Sequence, residues 1–324
     1  MQNRILITGG CGFIGSNLVN QLVIKYPEYF FVNLDILYYC ASLKNILVAD
    51  KPNYKFIKGN LTDYNLLRFI LEEYKIDTVM HLAAQSHVDN SFSNPLQYTT
   101  DNILGTHTLL EACKNYGKIR RFIHVSTDEV YGETTHDIQK NESSILCPTN
   151  PYAATKAGAE IIAMSYYHSF KMPIIITRGN NVYGINQYPE KLIPKFITLL
   201  KDHKKLTIQG DGNNRRSFIY VDDVVNAFDV ILHRGKIGEI YNIGSMEEYS
   251  VMDVARILLR KMRNTDDLGS NIVYVEDRNF NDRRYYITND KIMELGWKQT
   301  IDFEEGLDRC IEWYCNNETH WLYN

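Results

Sequence analysis

"RILITGGCGFIGSNLVNQLVIKY" (residues 4–26) decides how this chain is to be read. A short β-rich run, "RILIT", passes without a linker into Gly9, Gly12 and Gly15, and these open a helix-length stretch. Glycine at such points serves a tight turn, a backbone that can approach a pyrophosphate, and a helix N-terminus aimed at it. Three closely spaced glycines also make ordinary flexible turns, so the strand before and the helix after carry the weight. Asp35 closes a second run, "FFVNLD", 20 residues past Gly15, where a carboxylate can accept both hydroxyls of a ribose. That charge would repel a 2'-phosphate and no Arg stands beside it, so the expected cofactor is NAD rather than NADP.

The strand pattern repeats outward from this unit. "YKFIKGN", "TVMHLAA", "RFIHVS" and "PIIITR" come next, with helix-length stretches between them, as far as about Arg178. Buried runs alternating with helices predict an α/β fold built on a doubly wound parallel Rossmann sheet. After "NNVYG" the alternation weakens, with turn signals at "QGDGNN" and "NIGS" and helices expected near 190–202, 251–263 and 303–316. The expected division is an NAD-binding Rossmann domain over 1–180 and a smaller C-terminal substrate-binding domain over 181–324, some of whose segments return to the main sheet.

Composition narrows the function class. A net charge of -4 with no basic block argues against nucleic acid or an anionic membrane as the main partner. The start, "MQNRILITGG", has no apolar leader and no apolar run approaches ~18 residues, so a cytoplasmic, soluble chain is expected. The six cysteines show no C-x-x-C spacing, which predicts neither a zinc site nor a disulfide framework. His81, inside an apolar run, reads as a core residue, and no metal is expected.

Two further motifs carry chemistry. "STDEVYG" (126–132) places Asp128 and Glu129 side by side behind two hydroxyls, where a lone acidic pair in a turn would ordinarily serve solubility. "NPYAATKAGAE" sets Asn150 as N-cap and Pro151 at the first helical position, so Tyr152 and Lys156 share one helix face. Chance alone supplies roughly 1.4 Tyr-x-x-x-Lys matches in such a chain, and Tyr54/Lys58 and Tyr167/Lys171 also fit. Position separates them: the first falls on a strand, where its members lie about 13 Å apart, and the second sits at the far end of the helix that Tyr152 begins. An ammonium about 4 Å from the phenol would lower its pKa by as much as ~3 units, making Tyr152 a base usable near neutrality.

Together, "GGCGFIG", "HLAAQSHVDNS", "STDEVYG" and "YAATK" resemble the extended short-chain dehydrogenase/reductase superfamily, and the Thr-Asp-Glu triplet resembles its nucleoside-diphosphate-glucose 4,6-dehydratases. The likeness runs on through "TRGNNVYGINQYPEKLIPKFI", "QGDGNNRRSFIYVDD" and "LGWKQTIDFEEGL"; "TRGNNVYG" and "FNDRRY" look most like the UDP-glucose enzymes of plants and giant DNA viruses. The resemblance implies Thr127 as a donor to the sugar O4, Asp128 as acid, Glu129 as base, and Tyr152 with Lys156 as the redox pair. It implies Phe13, Ile14, Asn60, Leu61, Leu82, Ala83, Ala84 and Asn102, beside the glycines and Asp35, around NAD. Ser86, Asn181, Lys191, Leu192, Arg216 and Arg278 are implied around a sugar nucleotide, the two Arg suiting a diphosphate.

The implied reaction is early in rhamnose or other deoxysugar synthesis. UDP-glucose is favoured and dTDP-glucose comes next. It also explains the paired acids: a base at C5 and an acid at C6 act on adjacent carbons, and two carboxylates in one apolar pocket split their pKa values. Departures from the bacterial pattern are Asn60 for an Asp, Gln85 for a Glu, Asp101 for a Thr, Val182 for an Asn and "DRNFN" for "DRPGH". A nucleotide-sugar 4-epimerase would share the glycines and the Tyr/Lys pair but has no use for the two acids. A non-catalytic dinucleotide-binding protein would need none of the five catalytic groups. The helices "LQYTTDNILGTHTLLEACKNY" and "PYAATKAGAEIIAMSYYHSF" imply, by the resemblance, a homodimer.

Overall fold

The computed structural model describes residues 3–134, 138–277, 282–317 and 319–321. Arg278, a residue implied around the sugar nucleotide, lies outside them. The first strands fall where the apolar runs place them: β1 (Arg4–Thr8), β2 (Phe30–Asp35), β3 (Tyr54–Lys58), β4 (Thr78–His81), β5 (Arg121–Thr127) and β6 (Ile174–Gly179). "YKFIKGN" and "TVMHLAA" end as strands at Lys58 and His81, two and three residues short of the runs. Gly59, Asn60, Leu82, Ala83 and Ala84 leave the ladder and line a cleft instead.

Downstream come β7 (Asn181–Tyr183), β8 (Leu206–Gln209), β9 (Arg215–Tyr220), β10 (Ile240–Ile243), β11 (Glu248–Ser250) and β12 (Ile272–Val275). The main sheet runs in the order β10-β6-β5-β4-β1-β2-β3 and every pairing in it is parallel. The order reverses between β1 and β4, which opens a crevice at the carboxyl ends of the strands. Register sets the ends level there: Thr8 stands opposite Leu34 and His81, and Thr127 opposite Gly179.

Alternation along each strand loads both faces. Ile5 and Ile7 pack with Leu18 and Leu22 of the helix Phe13–Lys25 and with Phe228 of Val221–Arg234. Leu6 joins Val32, Val79 and Phe122 beneath helices Tyr64–Glu73, Gly105–Tyr116 and Pro151–Phe170. Two small sheets, β11-β9-β7 and β12-β8, with helices Leu192–Lys201, Val251–Arg263 and Phe303–Asn316, build the second half. Among the described residues no helix is long and apolar enough to cross a membrane.

One expected helix is not continuous. "LQYTTDNILGTHTLLEACKNY" divides into Pro95–Tyr98, a π-helical stretch Thr99–Leu104, and Gly105–Tyr116. The wider turn changes the register of residues 101 and 102, and stretches of this kind often sit beside functional sites.

Candidate active site

Two clefts, of about 340 and about 290 Å³, meet over the carboxyl edge of the sheet. The first lies across the switch point. Gly9, Gly12 and Gly15 form its floor with Phe13 and Ile14, and Asp35, Asn60 and Leu61 line one end. Leu82, Ala83 and Ala84 line its middle, and Tyr152 and Lys156 close the other end. Two of the glycines are sterically obligatory: a Cβ on Gly15 would stand 2.1 Å from the Gly9 carbonyl oxygen, and Gly9 has φ +73°. Asp35 is already held, its Oδ2 accepting from the Cys11 N–H at 2.9 Å and its Oδ1 from the Leu37 N–H at 2.7 Å. Each carboxylate oxygen keeps a lone pair for a ribose hydroxyl. Cradle, helix N-terminus and fixed acid together fit a dinucleotide.

Gln85 and Asp101 both line this cleft and explain each other: the Gln85 amide donates to Asp101 Oδ2 at 2.9 Å, and Gln97 donates to Oδ1 at 3.0 Å. Asn102 requires a correction. It is buried and off the cleft wall, its Oδ1 accepting from the Gln85 N–H and its Nδ2 donating to the Gln85 carbonyl and to Thr155 Oγ1. The π-helical register turns this side chain inward, so it braces the wall. His81 is likewise satisfied inside the core, its ring nitrogens bonded to Thr8 Oγ1 and Thr106 Oγ1 at 2.7 and 2.8 Å.

The second cleft is lined by Ser86, Thr127, Glu129, Tyr152, Asn181 and Val182, with Lys191, Leu192 and Arg216 across from them. Lys191 Nζ donates to the Ser86 carbonyl at 2.8 Å, and the Arg216 guanidinium lies over the Tyr285 ring at 4.8 Å while donating to the Asp282 carbonyl. Tyr152 belongs to both clefts, at their junction.

The paired acids owe their shared location to a break in the strand. β5 ends at Thr127, whose Oγ1 accepts from the Glu129 N–H at 3.3 Å and caps a single 3-10 turn, Asp128–Tyr131, closed by Gly132 at φ +71°. Neighbours that would face opposite ways on a strand are thereby brought round together. Burial, then the charge of Glu129, pushes the Asp128 carboxyl up to about 7; burial also raises Glu129. Asp128 departs from expectation in one respect: it is 2% exposed and stands behind the wall of the second cleft rather than on it.

Tyr152 needs a second correction. Its phenol is pushed up, not down, because burial and the charge of Glu129 outweigh a hydrogen bond from Thr127. The Lys156 ammonium donates to the Val125 carbonyl at 2.6 Å and is itself lowered to about 8 by burial. Two side chains next to the motifs went unread in the sequence. Asn150 Nδ2 donates to Glu129 Oε2 at 3.0 Å, and Asn180 Nδ2 donates to Asp128 Oδ2 at 2.6 Å. A motif reader sees Asn150 only as a helix cap, and Asn180 only as the neighbour of Asn181. Among the described residues no three metal-ligating side chains come together.

A family model described as GDP-mannose 4,6 dehydratase matches residues 6–310. The chain belongs to that family. A trifunctional UDP-glucose 4,6-dehydratase/UDP-4-keto-6-deoxy-D-glucose 3,5-epimerase/UDP-4-keto-L-rhamnose-reductase of Arabidopsis thaliana is 53% identical over 98% of this chain and 48% of its own length. The chain thus spans about half the length of the first curated relatives it matches. The dTDP-D-glucose 4,6-dehydratase of Mus musculus is 48% identical over 98% of this chain and 90% of its own. Among solved structures, the dTDP-glucose 4,6-dehydratase of Streptomyces venezuelae with NAD bound superimposes with a TM-score of 0.93 at 39% identity, covering 98% of each chain. For a member of this family, a dinucleotide cradle opening onto a pair of raised acids is the arrangement to be explained.

Proposed function

We propose that the chain is a lyase that binds NAD and removes water from a nucleoside-diphosphate-glucose to give the 4-keto-6-deoxy sugar nucleotide. UDP-glucose is the favoured substrate and dTDP-glucose the next. One observation carries the reading: Glu129 lines the second cleft with Tyr152, Asp128 lies directly behind that wall, and burial raises both acids. An enzyme that only inverts C4 has no step for either acid. The relatives at 52 to 53% identity carry UDP-glucose in their names and those at 47 to 48% carry dTDP-glucose, which supports the order of preference.

The first cleft suits the cofactor through Gly9, Gly12, Gly15, Phe13, Ile14, Asp35, Asn60, Leu61, Leu82, Ala83, Ala84, Tyr152 and Lys156. Bound NAD supplies a reversible two-electron store, so that what leaves C4 returns at C6 with no net redox. Tyr152, assisted by Thr127 at O4, takes the O4 proton as the phenolate, a form that burial and Glu129 oppose in the free chain and that the Lys156 ammonium and the positive charge of a bound cofactor would favour. The C5 proton, now next to a ketone, goes to Glu129 as the C5–H electrons form the C5–C6 double bond. Asp128 gives its proton to O6 as the C6–O6 bond breaks, and water departs; as C6 is reduced, Glu129 returns its proton to C5 and the double bond is consumed. Asp128 must reach O6 from behind the wall, so the acid's proton has to emerge beside Thr127. Ser86, Asn181, Lys191, Leu192 and Arg216 hold the sugar nucleotide, with Arg278 assigned by the resemblance alone.

In this reading residues 1–180 serve the cofactor and 181–324 the sugar nucleotide, and the chain works in the cytoplasm as a homodimer. Exposed Leu104, Ile161 and Phe170 on the two long helices support that pairing, and sedimentation as a monomer at micromolar concentration would count against it. The test of the activity is incubation with UDP-glucose and, separately, dTDP-glucose, following loss of ~18 mass units and the alkaline absorbance of a 4-keto product. Water loss supports the assignment and the ratio of kcat/KM ranks the bases. Conversion to a galactose nucleotide, or no turnover of either, overturns it.

A further inference from the structure

Each acid is met by a carboxamide that has no freedom to turn. Asn180 Oδ1 accepts from the Ser245 N–H at 3.2 Å, which leaves its Nδ2 facing Asp128 Oδ2 at 2.6 Å. Asn150 Oδ1 accepts from the Ala153 N–H at 2.8 Å, which leaves its Nδ2 facing Glu129 Oε2 at 3.0 Å. Amide orientation is ordinarily a choice between two alternatives; a backbone N–H on the oxygen removes the choice, because a flipped amide would set two donors against each other. Both side chains are buried, Asn180 at 5% and Asn150 at 6% exposure, so water is a poor substitute partner for either end.

An oxygen that accepts from a fixed N–H at such a distance cannot carry a proton on the same side. We infer that Asn150 and Asn180 are positioning residues that fix which oxygen of each acid exchanges the proton: Oε1 of Glu129 and Oδ1 of Asp128. This rests on the dehydration proposed above. For Asp128 the consequence is directional. Oδ1 accepts at 3.2 Å from the Thr127 hydroxyl, which, unlike a fixed N–H, can turn to accept once Oδ1 is protonated, and Thr127 lines the substrate cleft that Asp128 itself does not reach. Asn180 thus holds the mute oxygen inward and turns the acidic one toward the sugar. Asn150 does the same for Glu129, and as the N-cap of helix Pro151–Phe170 it ties the base to the helix that carries Tyr152.

Because both amides donate to a carboxylate, each favours the ionised form of its own acid. The other groups facing Asp128 are Glu129, Thr127, Arg216 and Tyr152; those facing Glu129 are Asp128, Arg216, Lys191 and Asp282, with Tyr152 and Tyr285 close enough to feel its charge. Removing one donor leaves these in place and moves one acid. Asp128 acts protonated, so Asn180→Leu raises its pKa and moves the alkaline limb of the kcat profile up by about one pH unit. Glu129 acts ionised, so Asn150→Leu moves the acid limb up by about the same amount.

The test uses the full chain with NAD and UDP-glucose or dTDP-glucose, together with a 13C-carboxyl NMR titration of Asp- and Glu-labelled protein. The expected result is one limb moved per variant and the corresponding carboxyl resonance titrating about one pH unit higher. Asn180→Asp, nearly isosteric, replaces the leucine variant if that fails to fold and moves the same limb the same way. A loss of rate with both limbs and both resonances unmoved overturns the inference, as does movement of the wrong limb. Absence of water loss from the unsubstituted chain defeats the dehydratase reading instead, and the NMR titration still decides whether the amides act on their acids.

Discussion

Asp128→Asn removes a charge while keeping shape and hydrogen bonds: the new amide can offer its oxygen to Asn180 Nδ2 and its nitrogen to Thr127 Oγ1. Burial and Glu129 raise the Asp128 carboxyl from 3.8 to about 7. At about 1.4 kcal/mol per pH unit, the ionised side chain costs the fold on the order of 4 kcal/mol. The sign is set by the order of ionisation. Below pH 3.8 the group is protonated folded and unfolded, and there is no cost; as pH rises the unfolded chain ionises first; above about 7 the cost is complete. The variant should therefore gain up to about 4 kcal/mol at pH 8.5 and little at pH 4, while losing at least about 100-fold in dehydration rate. For a chain of 324 residues the gain is worth about 5 °C in the unfolding midpoint. Melting curves of both proteins at pH 4, 7 and 8.5, beside the mass-loss assay, check it. A stability difference that is flat with pH, or a variant that is weaker at pH 8.5, would refute the argument that this acid is stored at a cost to the fold.

The same geometry sets three other outcomes. Glu160→Ala leaves the Arg178 guanidinium buried without its carboxylate, both side chains being 3% exposed, and should cost about 3 to 5 kcal/mol in urea unfolding; Arg178 also donates to Tyr131 Oη at 2.7 Å, so the acid-bearing turn should loosen and kcat should fall with it. Gly15→Ala drives a methyl to 2.1 Å from the Gly9 carbonyl oxygen and should abolish NAD binding by calorimetry. Gln85→Glu sets a second carboxylate where the amide met Asp101 at 2.9 Å, and should weaken NAD by about tenfold; adding Asp101→Thr should recover most of the loss.

Legibility in the sequence tracked how local the physics is. Strand, glycines, helix and Asp35 lie within 32 residues and obey period and turn rules, so the cofactor half could be read residue by residue. The helix cap before Tyr152 was legible for the same reason: Asn150, Pro151 and the helix are consecutive. What Asn150 does to Glu129 was not, since that contact spans 21 positions and Asn180 reaches Asp128 across 52. The error over Tyr152 has a different origin. Helical spacing presents Tyr and Lys as two charges in isolation, whereas the phenol answers first to burial and to Glu129, neither of which the spacing encodes.

The changes at 85 and 101 show how far a pair can differ from its members. Taken singly, Gln85 for Glu and Asp101 for Thr each alter a polar group beside the cofactor cleft, and each reads as a loss. Set against the bacterial pattern that the resemblance implies, they form one exchange: Gln85 donates to the Asp101 carboxylate where a Thr hydroxyl would donate to a Glu, and either pair carries one negative charge beside the cleft. Gln97 takes the second carboxylate oxygen, so the acid on the π-helical stretch is held from two sides. The double variant is the sharper test, because a single substitution that weakens binding fits any contact, whereas recovery on changing the second residue requires that the two act as a pair.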